Sequence, residues 1–88
     1  MTYQVFATEE FSRIIKKLEK QQDLLNALNS KIKRLQEGPF AVGKQLRGPL
    51  KQLYSTRLTA KFRLLFSIDE KQKIVYLKTI GHRKNVYN

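Results

Sequence analysis

The spacing of hydrophobic residues changes once along the chain. From residue 8 to residue 38 they recur every three or four positions, which is typical of amphipathic helices. Two stripes follow this spacing, one over residues 11–18 and one over residues 24–35. Beyond about residue 50, apolar and polar residues alternate, which is typical of strands with one covered face. The pattern predicts helices first and a sheet afterwards.

Capping and breaking residues mark the ends of the predicted helices. Thr8 is a suitable N-cap, and the two glutamates after it suit the positive end of a helix dipole. We expect the first helix to end near Lys20 and the second to stop at Gly38 and Pro39. Because only a few polar residues join them, the helices should form an antiparallel hairpin.

Four segments are predicted strands. Residues 2–7 precede the helices, and a loop over residues 38–49 separates the helices from strands at 53–58, 62–68 and 74–80. The order β-α-α-β-β-β indicates an α+β fold, with two antiparallel helices packed on one face of a small, mainly antiparallel sheet. Residues 1–88 are too few for a second core, so we expect a single domain.

The turn at residues 59–61 predicts which side chains oppose each other in the first hairpin. A three-residue turn pairs Thr56 with Leu64 and Arg57 with Arg63. The helices should cover the face of Tyr54, Thr56, Leu58, Phe62, Leu64 and Phe66. The other, open face should carry Leu53, Ser55, Arg57, Arg63, Leu65 and Ser67.

Two directly opposed arginines repel each other, so this pair needs an explanation. An anion between them supplies one, because two guanidinium groups can converge on a phosphate and stabilise charge that develops on it. Alternatively, the arginines pair with Asp69, Glu70 or Glu37, or extend into water.

The charge balance points to a polyanionic partner. There are 18 Lys and Arg residues against 7 Asp and Glu, a net charge of +11, and such a field attracts nucleic acid. Residues 44–63 hold six basic residues and no acidic one, which makes them the expected working surface. A solvated surface of a highly soluble protein is the plainer alternative.

Residue usage also excludes some chemistry. No cysteine is present, which excludes disulfides, thiolate zinc sites and cysteine nucleophiles. Since His82 is the only histidine and the carboxylates are scattered, we expect no metal and no cofactor. No apolar run is long enough to be a membrane span, so we expect a cytoplasmic protein without a membrane partner.

The last residues combine groups that can move protons and hold phosphate. His82 carries an imidazole that can accept or donate a proton, Arg83 is a permanent cation and Tyr87 is a phenol. Whether His82 or Arg83 points to the open face stays undecided here, because Lys78 suggests that even-numbered residues face outward while Gly81 allows a kink. A surface histidine and a packing tyrosine are the plainer interpretations.

Four segments together resemble the RelE branch of the RelE/ParE toxin superfamily. They are KQLRGPL at 44–50, LYSTRL at 53–58, FRLLF at 62–66 and GHRKNVY at 81–87. The resemblance implies a RelE-like toxin of a type II toxin-antitoxin system. Such a toxin is a ribosome-dependent endoribonuclease that cleaves mRNA in the decoding site by attack of the 2'-hydroxyl, without metal, and inhibits translation. It also implies a cognate antitoxin, which we expect to be acidic.

The resemblance also assigns roles to residues. Arg57 would help proton transfer, Arg63 would stabilise the transition state, Arg83 would bind phosphate and Tyr87 would orient or stack on the substrate. His82 occupies a position where some relatives have a catalytic histidine and others a lysine. Candidate RNA-binding residues are Lys44, Arg47, Lys51, Ser55, Lys78 and Lys84.

One departure from the family pattern concerns Ser55, which stands where a basic residue is usual. Arg57, Lys51 or His82 would then have to supply the missing charge, or the reaction is slower.

Two other functions fit part of these observations. A ParE-type toxin would inhibit DNA gyrase without a nuclease site. A non-catalytic RNA- or ribosome-binding domain would use the basic open face alone. We expect no aromatic stacking platform on that face, which weakens the last alternative.

Overall fold

The N-terminal part of the chain forms a strand and two helices, as the sequence predicts. The computed structural model describes residues 2–82. Strand β1 spans Gln4–Ala7, helix α1 spans Glu9–Lys17, and helix α2 spans Gln22–Glu37. Thr8 caps α1, because its hydroxyl accepts a hydrogen bond from the Phe11 N–H at 3.3 Å. The same hydroxyl donates to the Leu77 carbonyl at 2.8 Å, which ties the start of the helix to the sheet.

The segment predicted as a loop over residues 38–49 carries secondary structure, so that prediction was wrong. It contains a short helix α3 at Pro39–Val42, a two-residue strand β2 at Lys44–Gln45 and a 3-10 turn at Gly48–Leu50. Pro39 favours a helix start, since its fixed φ suits a first helical position. These elements are too short for hydrophobic periodicity to reveal them.

The remaining strands are β3 at Tyr54–Arg57, β4 at Phe62–Asp69 and β5 at Ile74–His82. Among the described residues the five strands form one sheet in the order β1-β5-β4-β3-β2. Strand β1 runs parallel to β5, and the other neighbours are antiparallel. The α+β prediction with a mainly antiparallel sheet is confirmed.

The predicted register of the first hairpin is also confirmed. Thr56 faces Leu64 and Arg57 faces Arg63, and the Leu58 N–H donates to the Phe62 carbonyl at 3.0 Å. The side chains toward the helices are therefore the ones that the alternation predicted. They form one core with the helix stripes, which consists of Phe11, Leu28, Leu35, Leu64, Phe66, Val75 and Leu77.

A β-bulge changes the alternation in β5. Leu65 pairs with Thr79 but Phe66 pairs with Leu77, so Lys78 is an extra residue in β5. Before the bulge, Val75 and Leu77 face the core, and after it Ile80 does. An extra residue inverts the alternation of the residues that follow it.

Of the helices within residues 2–82, none has the length and apolar character needed to cross a lipid bilayer.

Candidate functional site

The candidate site begins with the two arginines at the turn end of the hairpin. Arg57 is the last residue of β3 and Arg63 the second of β4, and they are directly opposed. Opposed residues have Cβ atoms about 4.5–5.5 Å apart, so two positive charges converge on the open face. Arg57 is exposed and Arg63 is partly buried.

The acidic residues proposed as alternative partners lie elsewhere. Asp69 is at the other end of β4, six residues from Arg63, or about 20 Å at about 3.3 Å per residue. Glu70 follows it. Glu37 borders a cleft with residues of β1, at the opposite edge of the sheet. These three carboxylates therefore lie away from the arginine pair.

A cleft of about 460 Å³ opens beside the pair. Strand β2 pairs only with Tyr54 and Ser55, so the end of β3 extends past its neighbour. The cleft is lined by Ala41, Val42, Gly43, Lys44, Ser55, Thr56, Arg57 and Arg63. Lys44 is exposed and pairs with Ser55 in register, which adds a third cation to this surface.

Gly43 is a residue of this cleft that the sequence analysis missed. A Cβ atom there would lie 2.5 Å from a ring carbon of Phe66 and 3.3 Å from the Ser55 carbonyl oxygen. Only glycine therefore lets the chain pass from α3 into β2 so close to the core. The signal in the sequence was a single glycine between the apolar residues 39–42 and the basic segment that starts at Lys44.

The other RNA-binding candidates are not all brought to the arginine pair. Ser55 is on the open face but only 3% exposed. Arg47 is exposed in the loop after β2, and Lys51 borders a second cleft with Tyr76, near the opposite end of β4. Lys78 is the bulge residue of β5.

The sequence left undecided whether His82 or Arg83 points to the open face, and the register of β5 decides this for His82. His82 pairs with Phe62, while Gly81 pairs with Arg63. The imidazole contacts the Phe62 ring edge-on, with centroids 5.8 Å apart. The structure therefore places His82 on the face opposite to Arg57 and Arg63. Arg83, Lys84 and Tyr87 lie outside the described residues, and their roles stay predictions.

The open face also carries aromatic residues, which the sequence analysis did not place there. Phe6 of β1 pairs with Tyr76 of β5, and the two rings meet edge-on with centroids 6.1 Å apart. Phe6 is 59% exposed. The Lys78 Nζ atom lies 5.7 Å from the centroid of the Tyr76 ring.

Comparison with known proteins gives consistent results. A family model described as "ParE-like toxin of type II bacterial toxin-antitoxin system" matches residues 5–88. A protein of Methanocaldococcus jannaschii, named as a candidate RelE4 toxin, is 28% identical over 86 residues, which are 97% of this chain and 90% of its own.

Solved structures agree with this result. A chain in the toxin-antitoxin complex RelBE2 from Mycobacterium tuberculosis is 31% identical with a TM-score of 0.80, over 94% of this chain and 100% of that one. YafQ from E. coli is 16% identical with a TM-score of 0.76, over 98% of this chain and 99% of its own, and shows the shared fold. The chain therefore belongs to the ParE-like toxins of type II toxin-antitoxin systems, within the RelE/ParE superfamily.

Proposed function

We propose that this toxin is an endoribonuclease that cleaves mRNA in the decoding site of the ribosome. The observation that carries the proposal is the directly opposed pair of Arg57 and Arg63 at the mouth of a basic cleft. A gyrase inhibitor or a simple RNA-binding domain does not need two convergent guanidinium groups at one point.

The reaction needs no nucleophile from the protein. The 2'-hydroxyl loses its proton as its oxygen attacks the adjacent phosphorus and the bond to the 5'-oxygen breaks. The leaving 5'-oxygen takes up a proton, so that a 2',3'-cyclic phosphate and a 5'-hydroxyl result. The protein must hold the phosphate in line with the attack and stabilise the negative charge that builds on its oxygens. Arg57 and Arg63 do this from two strands that are fixed to each other by backbone hydrogen bonds.

Proton transfer requires a base that takes the proton of the 2'-hydroxyl. Arginine is a poor base, because its guanidinium group stays protonated at physiological pH. His82 is the only histidine, but its ring packs on Phe62 on the other face. We therefore infer that the proton acceptor is a ribosomal group, or His82 after a change at the end of β5, and that activity on free RNA is low.

We also propose a cognate antitoxin, acidic overall, that covers Arg63 or Arg83. Two observations support it. The RelBE2 and DinJ-YafQ structures are toxin-antitoxin complexes, and the net charge of +11 favours an oppositely charged partner. A complex that leaves the open face uncovered would contradict this assignment.

Primer extension on mRNA from cells that express the toxin tests the proposal. We expect cuts at defined positions relative to the reading frame for the wild-type chain and none for Arg63→Ala. Arg13→Ala is the matched control, because Arg13 is an exposed arginine of α1 that pairs with Glu9 at 3.3 Å, and it should cut like the wild type. DNA damage without mRNA cuts would instead identify a gyrase inhibitor.

A further inference from the structure

We propose that Phe6 and Tyr76, together with Lys78, form a stacking subsite for one base of single-stranded RNA. The inference rests on the proposed function in one respect, since it assumes that the RNA strand bound here continues to the arginine pair. It adds a second contact point on the same face, at the edge formed by β1 and β5.

The exposure of Phe6 is the first observation behind this proposal. A phenylalanine side chain stabilises a fold mainly through burial, and a ring that is 59% exposed loses most of that contribution. Phe6 also lies on an edge strand, where exposed apolar residues favour aggregation. The contact with Tyr76 stabilises the pairing of β1 with β5, but it does not explain why the ring faces water. A ligand with a flat apolar surface does.

The cation beside the rings is the second observation. The Lys78 Nζ atom lies 5.7 Å from the Tyr76 centroid, close enough for a cation–π contact. Surfaces that bind single-stranded nucleic acid combine aromatic side chains, on which bases stack, with positive charges that follow the backbone. The same three residues provide both parts here.

The position of this subsite relative to the arginines is the third observation. Tyr76 pairs with Ser67, four residues from Arg63 along β4, which is about 13 Å. A few nucleotides span that distance. Lys78 lies between the two points along β5, so the phosphates that connect them would pass a positive charge. Asp69 and Glu70 line the same cleft as Tyr76. They lie beyond Tyr76 as seen from Arg63, so the path to the arginines runs away from them.

Binding of a short single-stranded RNA, about ten nucleotides long and thus within common site sizes, tests the subsite. The oligonucleotide is used intact and in a series in which one base at a time is removed. The proteins are the wild type, Phe6→Leu, which keeps an apolar side chain but loses the ring, and Phe6→Trp, which keeps a ring. Phe40→Leu is the matched control, because Phe40 is 47% exposed but contacts Tyr3 and Tyr54 on the other face.

Loss of one stacked base weakens binding by about fivefold or more. We expect that loss for Phe6→Leu with the intact RNA, and for the wild type at one abasic position. At this position Phe6→Leu should lose nothing further. Phe6→Trp should bind like the wild type, and RNA should quench its tryptophan fluorescence, a signal free of background because the chain has no other tryptophan. Phe40→Leu should bind like the wild type.

Three results would overturn the proposal. One is wild-type affinity of Phe6→Leu, and another is an abasic series in which no position stands out. The third is a Phe6→Leu variant that loses affinity for the antitoxin or self-association but not for RNA, which would assign the rings to a protein partner. If Phe6→Leu does not fold, as judged by circular dichroism, the quenching of Phe6→Trp decides.

Failure of the nuclease proposal would look different. A wild-type protein that does not cleave mRNA on programmed ribosomes, but shows the single sensitive abasic position, would remove the catalytic assignment and leave the stacking subsite.

Discussion

The two faces of the sheet carry different kinds of residue. On the covered face, Leu64, Phe66 and Val75 are completely buried against the helices, and every one of them is a residue that packing alone would select. The open face holds two opposed arginines, an unusual arrangement for stability, and an exposed phenylalanine. Residues on the open face are freed from core packing, so they can be selected for binding at some loss of stability. Substitutions on the two faces should therefore have opposite consequences.

The largest effect is expected on the covered face. Phe66→Ala removes a fully buried ring that stacks on Tyr54 at 5.8 Å, and such truncations lower the free energy of unfolding by about 3–5 kcal/mol. Urea denaturation followed by circular dichroism measures this loss. Phe40→Ala, at a partly exposed ring, should lose much less. Equal losses of unfolding free energy for Phe66→Ala and Phe40→Ala would mean that burial on the covered face adds no stability to the fold.

The next effect should appear on the open face and in the rate alone. Arg63→Ala removes one donor to the developing charge, which typically lowers a rate by about 10²–10³. Binding to ribosomes should hardly change, because many cations share it. Single-turnover cleavage on programmed ribosomes, beside an equilibrium binding assay, separates the two quantities. A wild-type rate for Arg63→Ala would contradict the active-site assignment.

Gly43 lies against Phe66 and also lines the cleft beside the arginine pair. Gly43→Ala should therefore lower both the stability and the rate of cleavage. The new methyl group would meet the Phe66 ring and the Ser55 carbonyl, and overpacking of this kind costs about 1–3 kcal/mol. Because Lys44 follows directly, cleavage should fall together with thermal stability. Gly38→Ala is the control, since a Cβ there meets nothing within 4 Å. If Gly43→Ala has the melting temperature of the wild type, the close approach of residue 43 to Phe66 does not require a glycine.

Salt should weaken binding to RNA or ribosomes at the open face. Neutralised phosphates release counterions, with a slope of about −0.7 per phosphate for single strands. If several of Lys44, Arg47, Lys51, Arg57 and Arg63 are engaged, affinity should fall more than about tenfold between low and moderate salt. Fluorescence anisotropy at several salt concentrations measures the slope. An affinity that does not change with salt would indicate a protein target.

The smallest effect concerns Lys31 of α2. Burial, and then the charge of Arg34, lower the pKa of Lys31 below its ordinary value of 10.5. The protonated form is therefore less favourable in the folded state, a penalty that is fully present at neutral pH and is relieved as pH rises from the folded pKa to the unfolded one. Lys31→Gln should raise the free energy of unfolding at neutral pH, by less than about 1 kcal/mol because the site is partly solvated.

The gain from Lys31→Gln should shrink toward alkaline pH. Lys33→Gln, at an exposed position of the same helix, should change nothing. Denaturation curves at neutral and alkaline pH test both statements, and a gain that grows with pH would have the wrong sign.

The sequence predicted best where a local rule fixes the geometry. The three-residue turn and the alternation in β3 and β4 determined that Arg57 opposes Arg63, because a shift by one residue would turn every apolar side chain of the hairpin outward. The family resemblance pointed to the same pair. The catalytic roles of Arg57, Arg63 and the terminal residues remain predictions.

What the sequence missed depends on contacts between distant segments. Strand β2 and helix α3 depend on the close approach of Gly43 to Phe66. A contact between such distant segments leaves no periodic pattern of hydrophobic residues in the sequence. The aromatic pair of Phe6 and Tyr76 forms only because β1 lies parallel to β5, from opposite ends of the chain. The sequence did not locate the bulge at Lys78, because Lys78 and Thr79 are both polar and either could have been the extra residue.

The extra residue at Lys78 makes the end of β5 tolerant of a change in length. Lys78 and Thr79 together oppose Leu65, so the residues on both sides of the bulge have regular partners in β4. Loss of Lys78 would place Thr79 directly after Leu77 in a regular alternation, with Gly81 still opposite Arg63 and His82 still opposite Phe62. The strand therefore carries one spare position, at which a deletion leaves the residues beside the arginine pair on the face they already occupy.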